Sequence, residues 1–166
     1  AQGGCASRPG LAWTNILGRK LDRPVINLAF SGNGRLEKEL IDLLSEVDAK
    51  MYVLDCLPNL TSPDYYATGE LQKRIVASVT ALQNKRSYIP ILLTDHDGYT
   101  DEGINPVSKN EYTPTNAFSR ATFDSLVGVG VNIISRLSQE SINPDTDIIV
   151  HATHPKHIVL LHYAEA

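Results

Sequence analysis

Apolar residues recur along this chain at two alternating spacings, one near 3.6 residues and the other in short unbroken runs, which predicts helices and strands in turn. Ser7 followed by Pro9 marks a helix start, and Trp13, Ile16, Leu17 and Leu21 continue it at helical spacing. Arg23-Pro24 ends that helix, and "VINLAF" predicts a buried strand followed by the loop "SGNG". Leu36, Leu40, Leu43 and Leu44 define a second helix. "KMYVLDC" predicts a second strand, stopped by Pro58, and "TSPDYY" a loop. Leu71, Ile75, Val79 and Leu82 mark a third helix, and "IPILLTD" a third strand. From His96 to Thr115 the chain is polar and without clear period, which predicts a long functional loop. A fourth helix is expected over Thr115 to Val127, then the strand "VNIIS" and a last helix from Pro155.

Short strands that are apolar on both faces and alternate with helices predict the α/β class, with a mostly parallel sheet covered by helices on both sides. The chain opens on a loop that enters a helix, where a doubly wound sheet would carry a strand. The first strand is therefore expected upstream of Ala1, and residues 1–166 read as a single domain incomplete at its N-terminus. Ligands of such sheets bind beyond the carboxyl ends of the strands. That topology gathers "AQGGCASRPG", "FSGNG", "DCLPNL" and "TDHDGYTDEG", with "HATHP" able to join them.

Composition narrows the function classes. A chain with 42% hydrophobic and 20% charged residues is globular in type. A net charge of −4 and no basic stripe argue against a nucleic-acid partner. Runs such as "PILL" and "IIV" are too short to span a bilayer. No basic-then-apolar leader is visible from Ala1, so a secreted or periplasmic location stays open, as does the oligomeric state. Cys5 and Cys56 allow at most one internal disulfide, the alternative being two reduced thiols.

Several polar residues fall where the crevice is expected. Gly32 lets a backbone N–H approach a ligand, or simply makes a turn. Asn59 can donate a hydrogen bond from a strand end, or form a turn. Two donors at neighbouring strand ends are what an oxyanion hole requires. Four of the five histidines, His151, His154, His157 and His162, crowd the C-terminal segment. His154 precedes Pro155 and has the intrinsic pKa of a general base. The same histidines offer a weaker metal reading, because zinc sites on helices favour i, i+4 pairs and Pro155 interrupts the spacing.

The segments "QGGCASRPG", "RPVINLAFSGNGRLEKEL", "VLDCLPN", "PILLTDHDGYTDEGINP" and "THP…LHYAEA" span nearly the whole chain in order. Together they resemble the SGNH hydrolases, the GDSL-type esterase/lipase superfamily, and most nearly a bacterial branch with an SGNH-type esterase domain. The resemblance implies a flavodoxin-like three-layer α/β/α sandwich and hydrolysis of acyl esters, acetyl esters of carbohydrates or small molecules among them. It implies no metal and no organic cofactor. Residue by residue, it implies Gly32 and Asn59 as the oxyanion hole and His154 as the base.

The departures from the family pattern concern the other two roles. The nucleophilic Ser of a "GxS" segment would lie upstream of Ala1; Ser7 is too far into the loop to match it, and Ser31 belongs to the glycine block. The Asp that orients the base stands three residues before it, and here that position is His151, with Ala152 where a Gly is usual. Asp145 and Asp147 are nearby but off register. An active esterase completed by an upstream Ser is the leading expectation. A dyad with His154 held by a backbone carbonyl, and an inactive relative that binds an acylated ligand, are the alternatives.

Overall fold

The computed structural model describes residues 10–99, 104–138, 149–150 and 154–155. These fall into two compact units, one drawn from Ala1–Asn33, Asp97–Lys109 and Ser138–Ala166, the other from Gly34–His96 and Asn110–Leu137.

The second unit holds a parallel sheet in the order β1 (Tyr52–Leu54), β2 (Ile91–Thr94), β3 (Ile134–Leu137). Tyr52 pairs with Ile91, and Ile91 with Ile134, so three large apolar residues stand side by side at the sheet's entry. Parallel neighbours require crossovers. They are supplied by α4 (Glu70–Lys85) and by α5, which runs from Pro106 to Gly128. Helices thus flank a parallel sheet, the α/β architecture that the alternating pattern predicts.

Helix α4 forms where the 3.6-residue period is cleanest. Leu71, Ile75, Val79 and Leu82 are all buried, and Glu70 and Lys85 match the helix dipole at its two ends. It packs against α2 (Lys38–Glu46). Of the leucines that predict α2, Leu44 packs on the core beside the buried Ile41, while Leu43 is 62% exposed. Leu36 precedes α2 and reaches the core from a left-handed backbone, φ +59°.

Two segments read as loops need correction. Residues 61–66 are not all loop: Ser62 caps a short helix, α3 (Pro63–Tyr66), by accepting the Asp64 N–H, and Pro63 suits its first turn. The supposed loop from His96 to Thr115 is helical from Pro106 onward. Tyr112, Thr115, Asn116, Ser119 and Thr122 occupy its buried positions, so the inner stripe is largely polar and the apolar period is erased. Pro114 inside the helix reinforces the loop-like reading.

"VINLAF" forms no strand, and Val25, Ile26, Leu28 and Phe30 are 38–65% exposed. A strand exists only with a hydrogen-bonded neighbour, and among the described residues none pairs with this run. In its own unit it follows α1 (Trp13–Leu21), which buries Trp13 and Ile16 as its spacing predicts. There Asn27 Nδ2 donates to Thr14 Oγ1 at 3.1 Å.

The same unit contains a short antiparallel pair, β4 (Ile149–Val150) with β5 (His154–Pro155). Pro155 therefore belongs to a strand bridge and does not start a helix; the rest of the expected last helix lies outside the described residues. Ser7, Pro9 and Cys5 lie outside them as well, so the proposed helix start and the Cys5–Cys56 pairing are not described. Cys56 carries a free thiol.

Candidate active site

The carboxyl ends of the three parallel strands carry a layer of cross-tied polar side chains. Thr94 Oγ1, at the end of β2, donates to Asp55 Oδ1, just past β1, at 2.8 Å. Asp95, the next residue, is 1% exposed and is paired with the guanidinium of Arg136 on β3. Its backbone N–H donates to Leu137 O at 3.0 Å. A carboxylate this deep requires such a partner, since an isolated buried charge is strongly disfavoured. The strand ends are thus fixed to one another by side chains as well as by the ladder.

Beyond Asp55 the chain turns through a single 3-10 turn, Leu57–Asn59, with Pro58 near its start. The turn aims the Asn59 carboxamide back along the chain, and its Nδ2 donates to Gly34 O at 3.1 Å. A carboxamide nitrogen has two N–H groups. Gly34 O accepts from one, which fixes the amide plane of the half-buried group and leaves its second N–H as a further donor.

The segment around Gly34 is itself tightly held. Arg35 N–H donates to Glu37 Oε2 at 2.7 Å, and Arg74 Nη1 donates to Arg35 O at 2.9 Å. Arg74 is steadied in turn by Glu70, whose carboxyl is held below its usual range chiefly by that guanidinium. These anchors sustain the left-handed Leu36, a conformation that a bulky side chain otherwise avoids.

Gly32 lies in the other unit, in a turn closed by Asn33 N–H donating to Phe30 O at 3.2 Å. Its φ is +86°, so glycine answers a backbone requirement; a Cβ there would meet nothing within 4 Å. His154 belongs to that unit too, with its backbone paired to Val150 in the β4–β5 bridge. His151, His157 and His162 lie outside the described residues. Among the described residues no group of three His, Cys, Asp or Glu side chains could hold a metal ion.

Sequence reasoning overlooked His96, the histidine outside the C-terminal cluster. Its backbone N–H donates to Asn116 Oδ1 at 2.8 Å, and Asn116 Nδ2 donates to its carbonyl at 3.1 Å. Its ring stacks on Tyr112 with centroids 5.0 Å apart. Burial lowers its pKa to about 4, so the ring is neutral at neutral pH. An imidazole immediately after an apolar strand was the available signal, but of its partners on α5 Asn116 opens the expected fourth helix and Tyr112 lies in the stretch read as loop.

Cys56 is no substitute nucleophile. Burial, reinforced by the nearby charges of Asp55 and Glu37, pushes its thiol up to about 12, which leaves almost no thiolate at neutral pH.

The arrangement has relatives. The model of the GDSL-like lipase/acylhydrolase family matches residues 1–166. A crystal structure of a Bacteroides ovatus protein described as GDSL-like lipase superposes with a TM-score of 0.84 at 27% identity, over 96% of this chain and 46% of that one. The salicylyl-acyltransferase SsfX3 of a tetracycline biosynthetic pathway shares the fold, with a TM-score of 0.77 at 15% identity, over 99% of this chain and 49% of that one. This chain thus spans about half the length of both structures. No curated protein sequence matches it. With a family match over its entire length and the parallel α/β sheet of a GDSL-like relative, the chain belongs to the GDSL-like lipase/acylhydrolase family.

Proposed function

We propose that this chain supplies the oxyanion hole and the general base of a serine ester hydrolase, the nucleophilic Ser coming from a segment outside residues 1–166. That Ser attacks the acyl carbonyl while His154 accepts its proton. The carbonyl oxygen becomes an alkoxide held by the Gly32 N–H and the Asn59 Nδ2–H. Collapse of the tetrahedral intermediate expels the alcohol, which His154 protonates. Water, deprotonated by His154, then releases the acid from the acyl-enzyme. The substrates are acyl esters of small molecules or carbohydrates, with acetyl esters the first to test. No metal or organic cofactor takes part.

One observation carries this reading. Asn59 leaves the carboxyl end of β1 with its amide plane fixed on Gly34, two residues along the chain from Gly32, and with a donor to spare. That is the preorganised dipole that acyl transfer requires. No helix among the described residues is long and apolar enough to cross a membrane.

The test uses the full-length protein and p-nitrophenyl acetate. Asn59→Ala should lower kcat by about 10²–10³-fold, the usual effect of removing one oxyanion donor. His154→Ala should lower it further, and His151→Asp should raise it by restoring a carboxylate partner to the imidazole. Unchanged turnover in Asn59→Ala and His154→Ala would overturn the reading.

His151 in the position of the orienting carboxylate favours a second reading, a binding domain that retains the hole but has lost turnover. It predicts that an acetylated sugar binds with no hydrolysis, and that Asn59→Ala weakens the binding.

A further inference from the structure

We infer that Thr115 is a positioning residue for the oxyanion donor Asn59, an inference that rests on the role proposed for Asn59 above. Helix α5 turns an unusual face inward. Tyr112, Thr115, Asn116 and Ser119 fall on one stripe at spacings of three, four and seven, and all are buried. Buried polar groups are disfavoured unless they are hydrogen-bonded, so this stripe must be matched by partners from elsewhere.

The partners are the loops at the carboxyl end of the sheet. Thr115 is fully buried, and its Oγ1 donates to Leu60 O at 3.3 Å. Leu60 directly follows Asn59 and closes the 3-10 turn through its N–H to Leu57 O at 2.9 Å. Its side chain is itself fully buried, so the turn is pinned from both the backbone and the core. The neighbouring Asn116 grips the backbone of His96 with both ends of its amide, at 2.8 and 3.1 Å. One turn of α5 therefore binds the loop after β1 and the loop after β2 together.

The segment is thus held at two points, by Gly34 through the Asn59 side chain and by Thr115 through the carbonyl of the next residue, Leu60. An oxyanion donor works only within about 2.7–3.1 Å of the developing charge. A displacement of about 1 Å can cost roughly 10²-fold in rate. Thr122 on the same helix is a natural contrast: it is also buried, but its hydroxyl donates to Phe118 O within α5 itself.

The experiment measures kcat, KM and Tm of the full-length protein with p-nitrophenyl acetate. Thr115→Val keeps the shape and removes the hydroxyl; it should lower kcat about tenfold with KM within twofold, and Thr115→Ser should restore kcat. Thr122→Val should lower Tm comparably and leave kcat unchanged. In an Asn59→Ala background, Thr115→Val should have no further effect on kcat. A kcat within twofold of the parent in Thr115→Val, or the same loss in both backgrounds, overturns the inference while leaving the role of Asn59 intact. Unchanged kcat in Asn59→Ala alone overturns both. The Asn59 side-chain amide signals in a 15N-labelled sample give a readout independent of turnover: they should shift or broaden in Thr115→Val and not in Thr122→Val. Identical signals in all three proteins would contradict the inference.

Discussion

A single buried imidazole makes the stability of this protein depend on pH. His96 titrates at about 4 in the fold and near its ordinary 6.5 in the unfolded chain. Between those values the unfolded state binds the extra proton. The stabilisation is therefore complete above the unfolded pKa and is lost as pH falls through the folded one. The full difference amounts to about 3 kcal/mol. His96→Phe preserves a ring against Tyr112 and cannot titrate, so urea unfolding should show a shallower loss between pH 7.5 and 4.5 in the variant than in the parent. Parallel profiles would mean that His96 is not buried in its neutral form. Gly32 makes the complementary point, that backbone conformation and not space can demand a residue. Gly32→Ala should cost about 1–2 kcal/mol at φ +86° although nothing stands near its Cβ, as measured by chemical denaturation. The types and order of these residues were legible in the sequence. The neutral state of His96 was not, because it depends on a helix 20 residues away in the chain.

At the scale of elements, the clean periods translated directly and the mixed ones did not. Helix α4 places four large apolar residues on one stripe, and all four are buried. Helix α5 covers the helix expected over Thr115 to Val127, but it starts at Pro106, and its first turns, polar and interrupted by Pro114, resembled a loop. In α2 the leucine run marks the helix but not each residue's burial: Leu44 packs on the core, Leu43 is exposed, and Ile41 is buried in the helix that packs against α4. Two substitutions check the phase by urea denaturation. Ile41→Ala should destabilise by about 2–4 kcal/mol, as core truncations do, whereas Leu43→Ala, exposed as it is, should stay within about 0.5 kcal/mol. The run from Val25 to Phe30 has the composition of a strand without a partner to make it one, which pattern alone cannot reveal.

For the molecule as a whole, the parallel order β1-β2-β3 and its two helical crossovers follow from alternation of helix and strand, and so does the concentration of polar groups at the carboxyl ends. The chemistry was less legible. The proposed oxyanion donor and the proposed base were readable as residues in a family-like order, but the nucleophile has no counterpart among the segments that carry the resemblance, and His151 stands where that resemblance implies a carboxylate. The account therefore turns on whether a Ser outside residues 1–166 is activated by this chain. The most direct measurement is reaction of the full-length protein with a fluorophosphonate, followed by intact mass and peptide mapping. The account predicts one adduct per molecule on a Ser outside residues 1–166, formed much more slowly in His154→Ala and in Asn59→Ala. An adduct on a Ser within residues 1–166, or labelling at the same rate in both variants, would contradict it.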